Sequence, residues 1–169
     1  MSFDAANWTR DPTTSNSMVI DRGFAKAVSK YESQGLTRDD FELLSVYHQK
    51  TDKTYYRFTV VPRAKPLVCI NETIICVPEG WPRNGDMTVE KEKEVANTNK
   101  ELKSSDANYS KVKSAIDGFY GKSVDVTKVH VYETELGFYY VAEVTGVQGK
   151  YSALFLDKAN GNCTFCNFI

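Results

Sequence analysis

Residues 43–61, LLSVYHQKTDKTYYRFTVV, and residues 128–144, KVHVYETELGFYYVAEV, share one order: Val-Tyr, a short polar tip, Tyr-Tyr, then alternating apolar residues. Sliding the 169-residue chain against itself by 85 positions sets Phe24 on Tyr109, Lys26 on Lys111 and Ser29 on Ser114. The same shift sets Leu44 on Val129, Val46 on Val131 and Tyr47 on Tyr132 without a gap. One deletion in the tip then brings Tyr55-Tyr56 onto Tyr139-Tyr140. The shift is half the chain, so the two stretches read as one supersecondary unit written twice.

The flanks support that reading. Ile20, Phe24, Ala27, Val28 and Tyr31 recur at helical spacing, with Gly35 as a stop. Tyr109, Val112, Ile116 and Phe119 make the matching stripe, with Ser105 or Asp106 as a cap and Gly121 behind. Alternating segments follow each stripe: 41–49, 54–62 and 67–77 in the first half, and 126–134, 138–145, 151–157 and 163–168 in the second. Leu136-Gly137, Val147-Gln148-Gly149 and Ala159-Asn160-Gly161 supply the turns. In 138–145, Phe138, Tyr140, Ala142 and Val144 are expected on the core face, with Tyr139, Val141, Glu143 and Thr145 opposite. The expected fold is α+β, with two tandem units (1–85 and 86–169), each one helix on a three- to four-stranded antiparallel sheet. The stretch after the turn-rich break at 80–85 is charged and apolar only at Val89, Val95 and Leu102, so 86–104 is expected to be a solvated linker.

Composition narrows the partners. A formal charge of -1 with no Lys/Arg block leaves nothing to neutralise a row of phosphates, which argues against nucleic acid and anionic membrane. No apolar run reaches the length of a membrane span, and the first twenty residues lack the pattern of a signal peptide. That favours a cytoplasmic protein. Four Asn-x-Ser/Thr sequons, at Asn7, Asn71, Asn108 and Asn162, make a mature secreted chain the alternative.

No catalytic, metal or cofactor signature stands out. His48 and His130 fall at different positions of the repeat and have no nucleophile motif beside them, so they read as strand surface. Cys69 and Cys76 would face one another if Glu72-Thr73 were a hairpin turn, which would permit a disulfide. Cys163 and Cys166 have C-x-x-C spacing, but on a terminal β-segment rather than at a helix start, so free thiols are the first reading and zinc the last. Asp39-Asp40 reads as turn chemistry. Trp81, between Gly80 and Pro82, is either an anchor of packing or a binding anchor.

A helix wrapped by an antiparallel meander resembles the cystatin-like fold, and two such units in one chain look like the tandem arrangement of the latexin type of carboxypeptidase inhibitor. The cystatin pattern is Gln-x-Val-x-Gly at the first hairpin tip and Pro-Trp at the second. Here Gln49, Lys50, Thr51 and Asp52 occupy one first tip, and Glu133, Leu136 and Gly137 the other; Trp81-Pro82 carries the second pair in reverse order. The 154–161 stretch, LFLDKANG, also looks like the closing hairpin of PepSY-type domains. The resemblance implies a non-enzymatic protein-binding role without cofactor, with a peptidase as the partner class. Binding would run through the hairpin tips, Trp81 and the N-terminal segment. The alternative is a small-ligand binder or enzyme using the concave face of a curved sheet, lined by Tyr139, Tyr140, His130 and Tyr132.

Overall fold

The computed structural model describes residues 7–14 and 17–169. These form an α+β fold with two antiparallel sheets, of five and four strands. The chain divides into two compact units: Met1–Ala64 with Asn71–Glu94, and Lys65–Ile70 with Val95–Ile169.

In the first unit, β1 (Thr9–Asp11) precedes α1 (Met18–Ala27), then β2 (Phe41–Lys50), β3 (Thr54–Pro62), β4 (Cys69–Val77) and β5 (Thr88–Ala96) run in the order β1-β2-β3-β4-β5. The Ser17 hydroxyl accepts from the Ile20 amide at 3.4 Å and caps α1. The helix lays Ile20, Gly23 and Ala27 on the sheet, over Val46, Phe58, Val60 and Ile75. Gly23 sits against the Phe58 ring, where any β-carbon would overlap it. Gly35, at φ 76°, ends the 3-10 extension of the helix.

In the second unit, α2 (Tyr109–Tyr120) is followed by β6 (Asp125–Glu133), β7 (Gly137–Thr145), β8 (Tyr151–Asp157) and β9 (Cys163–Phe168), paired in that order. Val112 and Ile116 pack on Val129, Tyr140, Ala142 and Leu154. The helix starts at Tyr109 behind Asn108, because the Asp106 carboxylate is taken by the Lys103 amide at 2.7 Å.

Four expectations are corrected. The stretch expected as a linker contains β5, so the first sheet exceeds three to four strands. An edge strand needs a ladder on one side only and keeps its side chains in water, which is why the Glu-Lys-Glu-Lys-Glu run of 90–94 carries no apolar period. Cys69 and Cys76 do not flank a hairpin: Glu72-Thr73 lies inside β4, a continuous strand, and seven residues of strand separate the thiols by about 23 Å. Tyr139 and Val141 are buried, so the middle of β7 is covered on both faces; Tyr139 packs its ring 4.6 Å from Phe155. Finally, the one-residue deletion in the repeat is wrong in register. Val46 and Tyr47 pair with Phe58 and Arg57, whereas Val131 and Tyr132 pair with Tyr140 and Tyr139. The first hairpin extends past the shared Val-Tyr by His48, Gln49 and Lys50, the second by Glu133 alone. The aromatic geometry agrees: Tyr56 stacks on Phe58 at 6.3 Å and 25°, and Phe138 on Tyr140 at 6.2 Å and 19°.

Candidate functional site

One opening in the first unit lies at the β2–β3 tip. The loop after β4 curls over the same end: Trp81 donates its amide to Pro78 at 3.1 Å and Arg83 to Gly80 at 3.0 Å, with Gly80 at φ 76°. The cleft between tip and loop encloses about 750 Å³. Its apolar surface comes from Val19, Tyr56, Val77 and Trp81. Lys50, Asp52 and Lys53 line it on the β2–β3 side, and Glu79, Asp86 and Glu90 on the β4–β5 side.

The electrostatics are uneven across this cleft. The Asp52 carboxylate accepts from the Thr51 hydroxyl at 2.9 Å and the Lys53 amide at 3.0 Å. The Asp86 carboxyl is held below the usual range by the Met87 amide first and then by Lys26, 3.4 Å away. Among the described residues, Lys50, Lys53, Glu79 and Glu90 form no ion pair of their own. Burial pushes the Cys76 thiol up, Glu90 adds to that, Lys53 opposes it and Asp52 adds again. One buried thiol on the cleft lining therefore feels charges from both walls.

The residues singled out in the sequence take different places. Lys50, Asp52 and Trp81 share the cleft; Thr51 is exposed at the tip beside them. Trp81 is half-buried, packs against the core below α1 and lies under the Arg22 guanidinium at 5.7 Å. Gln49 is buried, and its side-chain amide donates to the Asn7 carbonyl at 3.4 Å, so it supports the tip from behind. The N-terminal segment before residue 7 lies outside the described residues. In the second unit, Glu133 is exposed and pairs with Lys158 at 3.1 Å. Leu136 is half-buried, and Gly137 is buried where a β-carbon would strike the Leu156 carbonyl. Sequence reasoning missed Tyr56, Glu79 and Glu90. Tyr56 was legible, since alternation on β3 puts it on the face of Phe58; Glu79 and Glu90 needed the path of the loop.

The histidines are not plain strand surface. Both are partly buried and each meets a carboxylate: His48 Nδ1 lies 2.6 Å from Asp11, and His130 Nε2 lies 2.9 Å from Glu143. The rings expected to line a ligand site in the second unit, Tyr132, Tyr139 and Tyr140, are buried in packing, and burial pushes the Tyr132 and Tyr140 hydroxyls up. All four cysteines are thiols without a disulfide, and burial pushes Cys163 up to about 11. Among the described residues no cluster of three or more His, Cys, Asp or Glu is placed to hold a metal ion. Of the sequons, Asn71 is buried in β4, while Asn7 and Asn162 are exposed and Asn108 is half-buried. No described helix is long and apolar enough to cross a membrane. No protein-family profile matches this chain, and no curated protein matches its sequence at a significant level.

Proposed function

We propose that this chain is a non-catalytic protein-binding module, and that the cleft of its first unit takes up a segment of the partner. One observation carries the reading: a hairpin tip and a tryptophan loop, far apart in sequence, line one cleft with an apolar floor and a charged rim. A floor of aromatic and aliphatic side chains inside a polar rim is how recognition surfaces combine affinity with solubility. The resemblance to cystatin-like inhibitors adds the partner class, a peptidase, of which one segment would enter the cleft between the tip and the Trp81 loop.

Two measurements test this. A random peptide library panned on the immobilised chain should enrich sequences that bind wild type at least tenfold better than a Lys53→Glu/Glu79→Lys variant. Recovery no better than from blank support would remove the binding reading. Titration of papain-type and metallocarboxypeptidases with the chain should lower turnover of a small chromogenic substrate. Full activity at a large excess of the chain removes the peptidase, leaving the binding module. The cleft volume also falls in the range of small-molecule sites, roughly 300–1,000 Å³. A thermal-shift screen with metabolites that raises the melting temperature through Tyr56 and Trp81, with no peptide enriched, would favour a small ligand.

A further inference from the structure

The charges of this cleft are sorted, and that sorting specifies the occupant. Lys50 ends β2 and Lys53 precedes β3, whereas Glu79 follows β4 and Glu90 lies on β5. The sheet order β2-β3-β4-β5 therefore runs from cation to anion across the opening. Asp52, between the two lysines, leaves the cationic side with one net charge, and Asp86 faces Lys26 at 3.4 Å, so the gradient rests on Lys50 and Lys53 against Glu79 and Glu90. Between the walls lie Tyr56 and Trp81. The Trp81 ring already accepts one cation, the Arg22 guanidinium, at 5.7 Å.

Resting on the protein-binding reading above, we propose that the partner segment is extended and dipolar. It sets a Lys or Arg against Glu79 and Glu90, an Asp or Glu against Lys50 and Lys53, and an apolar residue over Tyr56 and Trp81. Strand spacing fixes the separation. Lys53 and Glu79 flank one inter-strand gap of about 4.8 Å, whereas Lys50 on β2 and Glu90 on β5 are three gaps, about 14 Å, apart. An extended chain advances about 3.3–3.6 Å per residue, so opposite charges that reach the outer pair, Lys50 and Glu90, belong about four positions apart. A segment with one sign of charge meets repulsion at one wall. An uncharged segment leaves both rims to water.

The probes are blocked pentapeptides: Asp-Ala-Phe-Ala-Arg as the dipolar case, with Ala-Ala-Phe-Ala-Ala, Asp-Ala-Phe-Ala-Asp and Arg-Ala-Phe-Ala-Arg as comparisons. Each is titrated into the full chain while the Trp81 indole and the amides of the tip and loop are followed by NMR. Two rim ion pairs at low salt are together worth about five- to tenfold in affinity. The dipolar peptide should therefore bind at least fivefold tighter than the other three, and added salt should erase the advantage. The variant Glu79→Lys/Glu90→Lys changes exposed or half-exposed side chains. Its spectrum should stay dispersed while it loses the preference for the dipolar peptide and gains one for the doubly acidic peptide. Equal binding of all four peptides at the cleft would overturn the dipolar occupant and leave the binding module standing. Absence of shifts at Trp81 and the tip with every peptide at millimolar concentration would overturn the proposal as well; library panning would then decide whether the binding module falls with it.

Discussion

A glycine inside a helix has opposite meanings at two positions of this chain. In α1, a β-carbon on Gly23 would overlap the Phe58 ring, with Cε2 only 2.7 Å away, and Phe58 is fully buried. The helix propensity gained by Gly23→Ala, about 1 kcal/mol, is smaller than the overpacking cost of about 1–3 kcal/mol. The variant should show a net loss of up to about 2 kcal/mol in urea unfolding. In α2, Gly118 has nothing within 4 Å of a built β-carbon, so Gly118→Ala should gain about 0.5–1 kcal/mol. The same sign for both would refute the packing argument. The buried Arg57–Glu72 pair, with Nε donating to Oε2 at 2.7 Å, makes a second residue-scale case. Removing either partner alone strands a buried charge and should cost about 3–5 kcal/mol, while Arg57→Met with Glu72→Leu should cost far less. A double-mutant cycle that comes out additive would show the two are not coupled. Asp117 sets a pH dependence. Its carboxyl is held below the usual range, chiefly by the Lys113 ammonium at 2.7 Å and also by the Val124 amide at 2.9 Å, with desolvation opposing. Its folded pKa is thus below its unfolded value of about 3.9. The stabilisation is complete above that value and disappears as pH falls through the folded one. Asp117→Asn should cost a few tenths to about 1 kcal/mol at pH 7, given a half-exposed pair. Chemical denaturation from pH 5 to 2 should be shallower for the variant than for wild type.

The elements show how much the sequence could say. Both helices and seven strands follow from stripes and alternation, because apolar residues repeat wherever an element lies on a core. β5 escaped that logic, since a charged edge strand carries no apolar period. The cleft was half legible for a related reason. Lys50, Asp52 and Trp81 stand out as a polar tip and a tryptophan between Gly80 and Pro82, but Glu79 and Glu90 join them only through the loop geometry. The repeat misled at one point: Tyr-Tyr in both copies suggested a short deletion, whereas the ladder equates Tyr139-Tyr140 with Arg57-Phe58. Tyrosine suits many strand positions, so an identity in a strand fixes register less well than a buried face does. β4 carries a prediction at this scale. As one unbroken strand it holds Cys69 and Cys76 too far apart to bridge, and β9 holds Cys163 and Cys166 three residues apart in extended chain. Titration of the unfolded chain without reductant should find four thiols. In the folded chain, alkylation of Cys163 near pH 8 should lag well behind that of a free cysteine, because its thiol titrates near 11. A disulfide mapped by digestion to Cys69–Cys76 or Cys163–Cys166 would mean that β4 or β9 does not form as a continuous strand.

For the whole molecule, the decisive fact is that the units are not consecutive in sequence. The chain leaves the first unit at Lys65, returns at Asn71 and leaves again at Val95. The short Lys65–Ile70 segment is therefore part of the second unit, and its bonds say what it does there. The Tyr132 hydroxyl, deep in the unit, donates to the Pro66 carbonyl at 3.2 Å. Asn97 donates its side-chain amide to Leu67 at 3.4 Å and its backbone amide to Val68 at 3.5 Å. A cut at the glycine-rich break, which composition marks as the boundary, separates the second unit from these partners. Leaving a buried hydroxyl without its acceptor costs about 1–3 kcal/mol, and the Asn97 bonds are lost besides. A fragment of residues 86–169 should consequently melt lower than one of residues 65–169. The two fragments differ by residues 65–85, which hold the short segment together with the rest of β4 and the loop after it, so a point variant is needed to isolate the hydrogen bond. Tyr132→Phe in the longer fragment should reproduce part of the loss seen on truncation, because it deletes the same hydrogen bond without deleting the chain. Equal melting temperatures for the two fragments would show that Lys65–Ile70 only passes by the second unit.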